Sequence, residues 1–396
     1  MLSKDKKIRI LLISGGSGGH VFPIVAVYER LVEYVESFKE KGYVLEIAYL
    51  GNDDYTIDYI KDKNILIKKI KSNRLNSKGF KKIFDIFGLL KSFIDSFIFI
   101  LGYMPDVVFA KGCFASLPGL FITRLFKIGY FLHESDIVPG KINTMFVKKS
   151  IKTFISFKDT ENYLPENKVK LVGNPIRTAI KEAKSINNIE AKKRLGFDEN
   201  LPCVLVLGGS QGALSLNDLV LNGLHSILEK NNLIVQTGDN NYEAFKQQVD
   251  LIFEGLIKDK GYENRLIFEG SFKDKGEGLN NSLVYAACDL VVARSGAGSL
   301  FEIAFNKKPS ILIPLPNSSA DHQLKNALHY SQKTNAIVLE QSNVKSSLLV
   351  NTINSVLTDI DLYRKMSKGT ENFSLFDGDS LIAKDIIKFL VNKLKN

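Results

Sequence analysis

The sequence predicts an α/β protein of two similar domains, each built on a parallel sheet. Three observations carry this. At 396 residues the chain exceeds a comfortable single core. Apolar strands alternate with segments of helical periodicity along its length, the pattern of parallel α/β domains. A strand-turn-helix signature also occurs twice. Leu11-Leu12-Ile13-Ser14-Gly15-Gly16-Ser17-Gly18-Gly19 returns in kind as Val204-Leu205-Val206-Leu207-Gly208-Gly209-Ser210-Gln211-Gly212. The copies lie roughly 190 residues apart, too far for a solenoid repeat and right for two domains.

The first strand is Ile8–Ser14. Ile24, Val27, Leu31, Val35 and Phe38 follow at helical spacing, with Pro23 suited to an early helical position. Val44–Leu50, Val107–Ala110 and Tyr130–Leu132 read as further strands. A second series runs through Val204–Leu207, Leu233–Gln236, Arg265–Phe268, Leu290–Ala293 and Ser310–Pro314. The turn at Gly173-Asn174-Pro175 separates the two series. The domains are therefore 1–173 and 174–365, with the C-terminal helix, 366–396, assigned back to the first.

Composition narrows the function classes. Hydrophobic residues make up 45% and charged residues 24%, ordinary values for a globular enzyme. Cys113, Cys203 and Cys288 are scattered and suit small buried hydrophobes in a reducing compartment rather than a disulfide framework. The opening run Ile10–Ile13 is too short for a signal peptide. The apolar stretch from Ile83 to Met104 is interrupted by Asp85, Lys91 and Asp95, which argues against a membrane span. A net charge of +10 favours an anionic partner, but no aromatic-basic motif of the RNA-binding modules is present. Nucleic acid is therefore not expected.

The turn Gly15 to Gly19 lets backbone approach a ligand, and the helix after it offers unpaired N–H groups to a phosphate. It is not the usual dinucleotide fingerprint, since Val21 stands where a third glycine belongs. His20 closes the turn, and an imidazole there can take the proton of an acceptor hydroxyl. The second turn repeats the anion-binding logic, with Ser210 as an added hydroxyl donor. Arg294-Ser295-Gly296-Ala297-Gly298-Ser299-Leu300-Phe301-Glu302 opens another helix on small residues. Glu302, about one turn inside, is placed to accept ribose hydroxyls, as acidic residues do in nucleotide folds. Gln323 can reach sugar hydroxyls, and Asp321 reads as a helix cap. The Asp359/Asp361 and Asp377/Asp379 pairs read as caps and loops, so no divalent-metal site is expected. Phe80, Ile83, Phe84, Phe87, Leu90, Ile94 and Phe97 approximate a helical stripe beside Lys78, Lys81, Lys82 and Lys91. Such a stripe either packs in a core or seats on an anionic bilayer.

Taken together, Gly15–Pro23, Lys111–Pro118, His133–Gly140, Gly173–Arg177, Gly208–Ala213, Arg294–Glu302 and Asp321–Ala327 resemble, in order, the MurG family of UDP-N-acetylglucosamine transferases. The family converts lipid I to lipid II in peptidoglycan synthesis. The resemblance implies a GT-B fold, two Rossmann-like domains with parallel sheets facing an interdomain cleft. It implies an inverting attack of the muramyl C4 hydroxyl on the anomeric carbon, with UDP leaving and no cofactor. His20 becomes the candidate base. Ser17, Gly18 and Gly19 match the first-domain turn that closes on the donor, and Ser210 lies at its phosphates. Arg177 matches the arginine of the Gly-Asn-Pro-x-Arg motif. Ala297, Gly298, Ser299, Leu300 and Phe301 line the nucleotide pocket, Glu302 meets the ribose and Gln323 the sugar. Asp136 stands where many members carry asparagine, so it accepts but does not donate at its sugar contact. Ser17 replaces the commoner threonine and keeps the hydroxyl. Phe272–Asn281 is longer than usual, so the uracil-edge contact is left unassigned there. The implied partners are UDP-N-acetylglucosamine, lipid I, an anionic membrane surface and a wall-synthesis complex. The implied location is the cytoplasmic face of the inner membrane, as a peripheral protein. The alternatives are another GT-B UDP-sugar transferase acting on a different lipid acceptor, a UDP-sugar epimerase, or a catalytically silent sugar-nucleotide-binding or membrane-scaffold protein.

Overall fold

The computed structural model describes residues 6–16, 18–52, 57, 60–61, 65–70, 81–209, 212–257, 261–274, 279–316, 318–373 and 377–395, with backbone alone at 6, 81–84, 256–257 and 319. The chain divides into two compact units, Met1–Arg177 with Phe376–Asn396, and Thr178–Leu375.

The first unit carries a seven-stranded parallel sheet of β1 (Lys6–Ser14), β2 (Tyr43–Gly51), β3 (Leu66–Lys69), β4 (Val107–Lys111), β5 (Tyr130–Glu134), β6 (Lys152–Ile155) and β7 (Val169–Leu171). The order is β3-β2-β1-β4-β5-β6-β7. β1 explains its own central place. Ile8, Ile10 and Leu12 enter one buried cluster and Leu11 and Ile13 the other, so both faces need cover. Its neighbours are β2 and β4, in register Ile10↔Ile47 and Ile10↔Val107. The strand order reverses at β1/β4, and a Rossmann-type sheet binds ligands beyond the carboxyl ends of its strands at that switch.

Helix α1 (Gly18–Val32) covers β1. Helices α2 (Lys81–Tyr103) and α3 (Leu117–Leu125) pack together elsewhere on the unit. One side of α2 is fixed inward: Ile100 and Tyr103 are buried, Phe93 meets Phe121 edge-on at 5.5 Å, and Asp95 pairs with Lys68 at 3.4 Å. The other side exposes Phe87 (65%), Leu90, Ile94, Phe97, Ile98 (63%) and Leu101. Core packing therefore does not account for the stripe. Phe80 and the side chains of Ile83 and Phe84 lie outside the described residues. By length and composition alone Asp85–Tyr103 could cross a membrane, a test its three charges were expected to fail.

The second unit holds a six-stranded parallel sheet of β8 (Cys203–Leu207), β9 (Asn232–Gln236), β10 (Leu266–Glu269), β11 (Leu290–Ala293), β12 (Ser310–Leu312) and β13 (Ile337–Val338). Its order, β10-β9-β8-β11-β12-β13, reverses at β8/β11. Helices α4 (Leu214–Leu228), α5 (Ala297–Phe305), α6 (His322–Thr334) and α7 (Ile360–Phe373) belong to this unit. Met366 lies in its core, and Phe373 stacks among Phe301 and Tyr330 at ring separations of 4.8 and 4.7 Å. The returning segment is therefore only α8 (Gly378–Lys395), shorter than the 366–396 expected. Ile382, Ile386 and Leu390 drive it into the first core. Asp379, 2% exposed, accepts from Arg30 Nε at 2.8 Å. Asp379 is thus a buried ion-pair partner rather than the loop residue its spacing suggested. Asp359 does cap, accepting from the Leu362 N–H at 2.9 Å.

Candidate functional site

In the first unit the glycine turn lies at the β1/β4 switch. A Cβ on Gly15 would meet Ala115 Cβ at 2.7 Å and overlap Asn52, so only glycine lets these segments close. Gly16 has φ +95°, a conformation costly for other residues. Ser17 lies outside the described residues. Gly18 is buried and Gly19 exposed, and α1 starts without an acidic residue in its first turn. His20 is half-buried and turns back over the loop, its Nδ1 3.8 Å from the point where a Gly16 Cβ would stand. Arg177, 3% exposed, places its guanidinium 3.7 Å from the Phe22 ring centroid. The structure therefore groups Arg177 with the helix behind the first turn.

A buried polar network stands at the ends of β4 and β5. Lys111 and His133 are register partners, and both are buried. Lys111 Nζ donates to Ser135 Oγ, which donates to Asn174 Oδ1 at 2.9 Å. Ser156 Oγ sits 3.2 Å from His133 Nε2 and 3.4 Å from the same Asn174 oxygen. Glu134 gathers the following loop: Oε1 accepts from the Asp136 N–H at 3.0 Å, and Oε2 from the Gly140 N–H and Asn143 Nδ2, each at 2.8 Å. Burial pushes the Glu134 carboxyl up, and the charge of Lys111 opposes it. Burial lowers the Lys111 ammonium, with Glu134 opposing. His133 is held neutral by burial and then by Lys111. Sequence reasoning assigned only Asp136 in this region. The missed signal was a lysine and a glutamate ending otherwise apolar strands.

The second turn follows β8. Gly209 has φ +85° and Gly212 φ +73°, and a Cβ on Gly212 would lie 2.6 Å from Thr237 O. Ser210 lies outside the described residues. Arg294, at the end of β11, is 6% exposed. It donates to the Ile313 and Pro314 carbonyls at 2.9 and 3.3 Å, to Ser215 Oγ at 2.8 Å and to Gln341 Oε1 at 2.6 Å. Burial lowers its pKa to about 10. It thus ties the end of β12 to Ser215, at the start of the helix after the second turn, and to Gln341.

Helix α5 has Gly296 as its N-cap with no side-chain capping bond, and nothing approaches a Cβ placed on Gly298. The N–H groups of its first turn receive no capping bond from an N-cap side chain. Ala297 is buried, while Gly298 and Ser299 are half-buried. Leu300 and Phe301 turn inward, Phe301 to the aromatic cluster, so their side chains serve the core. Half-buried Glu302 accepts from Tyr285 Oη at 3.2 Å through Oε2. Gln323 spends Oε1 on the Leu315 N–H at 2.9 Å, which orients its amide nitrogen as the donor. Asp321 makes no side-chain cap. It and Ala320 are left-handed, at φ +53° and +54°. Two such residues in succession store roughly 2 kcal/mol of strain, a common mark of functional segments. Asn281 Nδ2 ties Phe272 O and Asp274 Oδ1 at 3.1 and 2.7 Å, closing the neck of the 272–281 loop, of which 275–278 lie outside the described residues. Among the described residues no group of three or more His, Cys, Asp or Glu could hold a metal ion.

Comparison with known proteins places both halves. Residues 10–155 match the glycosyltransferase family 28 N-terminal domain, and 203–379 the family 28 C-terminal domain. A relative from Lachnoclostridium phytofermentans, named UDP-N-acetylglucosamine–N-acetylmuramyl-(pentapeptide) pyrophosphoryl-undecaprenol N-acetylglucosamine transferase, is 32% identical over 372 residues, covering 93% of this chain and 96% of the relative. One of the same name from Clostridium botulinum is 30% identical over 385 residues, covering 92% and 97%. Among solved structures, Acinetobacter baumannii MurG superposes with a TM-score of 0.66 at 21% identity, covering 97% of this chain and 99% of that one. A UDP-GlcNAc 2-epimerase from Neisseria meningitidis superposes at 0.64 with 12% identity, covering 98% and 100%. These likenesses establish the fold.

Proposed function

The chain belongs to glycosyltransferase family 28, and from that premise we propose that it moves N-acetylglucosamine from UDP-N-acetylglucosamine to the muramyl sugar of lipid I, forming lipid II. The observation that carries the reading is the pairing of two glycine turns, each at the switch point of a sheet, in units matched by the two halves of one transferase family.

The donor belongs to the second unit. N–H groups at the starts of α4 and α5 meet the diphosphate and stabilise the charge that grows on it as UDP leaves. Glu302 of α5, beside Tyr285, accepts ribose hydroxyls, and the Gln323 amide nitrogen donates to the sugar. Ser210 and the Ala297–Phe301 turn complete the second unit's donor set, and Arg177 of the first unit is a further donor contact. The acceptor belongs to the first unit, whose Ser17, Gly18 and Gly19 turn and Asp136 also contribute to binding UDP-N-acetylglucosamine. The muramyl C4 hydroxyl attacks the anomeric carbon, His20 takes its proton, and the bond to UDP breaks with inversion.

Attachment is peripheral. The exposed side of α2, with Phe121 and Leu125 of α3, presents apolar side chains beside exposed Lys91, Arg124 and Lys127, a composition that seats on an anionic bilayer without crossing it. The purified protein should release UDP from UDP-N-acetylglucosamine only when a lipid I analogue is supplied. Folded protein with no acceptor-dependent release overturns the reading, and turnover on a diacylglycerol instead points to a different lipid acceptor. Flotation with anionic liposomes should be lost in Phe87→Ser/Ile94→Ser, and equal flotation excludes the α2 face.

A further inference from the structure

We propose that Lys111 is a positioning residue for the transfer: its buried ammonium, bonded to Ser135 and set against the Glu134 carboxylate, fixes the 135–140 loop that carries Asp136. The inference rests on the reading of the first unit as the acceptor side.

Lys111 ends β4 inside an otherwise apolar strand and is 3% exposed. A charge is retained there only with compensation. The compensation is specific. Ser135 Oγ accepts a hydrogen bond from the ammonium and donates one to Asn174 Oδ1, in the segment that closes the first unit. Glu134 lies one residue beyond Lys111's register partner and is 5% exposed. Its two oxygens accept backbone N–H groups at Asp136 and Gly140, so one carboxylate clamps both ends of the loop. The ionised form is the stronger acceptor for all three contacts. Lys111 is the cation that acts on Glu134, while Asp136 opposes it. Asp136 and Cys113 also face the ammonium. The remaining neighbour, His133, is kept neutral by burial. Lys111 reaches the loop at Ser135, beside the Asp136 N–H that Glu134 holds, and the clamp depends on it there.

The sign of the pH effect follows. Burial already raises Glu134, and removing Lys111 raises it further. The carboxylate is then protonated at a higher pH than in the wild type, so the clamp weakens as pH falls and strengthens as pH rises. A role confined to packing gives a loss that does not change with pH.

The test uses Lys111→Met in the full chain, with a lipid I analogue, between about pH 6 and about pH 9. Acceptor kcat/KM should fall by about ten- to a hundredfold at the lower pH, the scale of a small misplacement of reacting groups, and recover toward the upper end. The dissociation constant for UDP should stay within about twofold of wild type. Lys111→Met/Glu134→Gln, with no carboxylate left to titrate, should lose the added pH dependence and melt at a higher temperature than the single variant. Amide exchange at Asp136 and Gly140, compared with wild type at each pH, reads the clamp without turnover. Wild-type kinetics in Lys111→Met, or a loss equal at every pH, overturns the proposal. If the wild type transfers nothing to the analogue, the acceptor reading fails, while the exchange measurement still decides the role of Lys111.

Discussion

Replacing Arg294 by methionine tests whether one buried guanidinium holds the donor side together. Methionine roughly keeps the volume and removes the donors. Ser215 and Gln341 lose Arg294 but keep each other, since Ser215 Oγ already donates to Gln341 Oε1 at 3.0 Å. The Ile313 and Pro314 carbonyls lose a charged donor in a buried setting. Each abandoned buried acceptor costs about 1–3 kcal/mol, so the variant should lose roughly 2–5 kcal/mol. In a unit of this size that corresponds to a fall in melting temperature of roughly 4–20 °C. Ser215→Ala is the comparison. It removes one neutral bond and leaves both carbonyls with Arg294, so it should cost about 0.5–1.5 kcal/mol. Because Arg294 joins the end of β8 through its N–H and Ser215 through its side chain, on either side of the second glycine turn, UDP should also bind Arg294→Met about tenfold more weakly by calorimetry, as a misaligned site does. A melting temperature and a UDP affinity both equal to wild type would refute the argument.

Three further outcomes follow from the same geometry. His20→Ala should lower kcat by about a hundredfold or more while leaving UDP affinity nearly intact; an unchanged turnover number removes His20 from proton transfer. Glu302→Ala should weaken UDP binding by about tenfold, and because Tyr285 Oη loses its acceptor the second unit should also melt slightly earlier; calorimetry giving wild-type affinity contradicts the ribose role. Asp379→Ala leaves Arg30 with Glu33 at 2.6 Å, so the cost should lie nearer about 2 than the roughly 3–5 kcal/mol of an abandoned buried charge. A variant as stable as wild type in thermal unfolding would show that α8 is held by its apolar face alone.

Much of the architecture is local in origin and was therefore readable from the chain. β1 and β8 are apolar on both sides because each is central in a parallel sheet, and that burial writes an unbroken hydrophobic run into the sequence. The glycines after them are required where backbone and side chains close in, as at Gly15 and Gly212. Short strands left weaker marks: β3, β6, β7 and β13 have no more than four residues each and went unread. Other features exist only through partners far along the chain. Phe301 looks like a pocket residue by position, but Phe373 claims its ring. Asp321 has the composition of a cap, yet its backbone is left-handed and its side chain caps nothing. The point at which the chain returns to the first unit is set by where Asp379 finds Arg30, a contact between opposite ends of the protein. Lys111 and Glu134 become a clamp only when β4 and β5 lie side by side and water is excluded around them. Periodicity and turn chemistry act between near neighbours, so sequence alone fixes them. Burial of charge and the direction of a side chain depend on which distant segments arrive, and only the folded chain decides that.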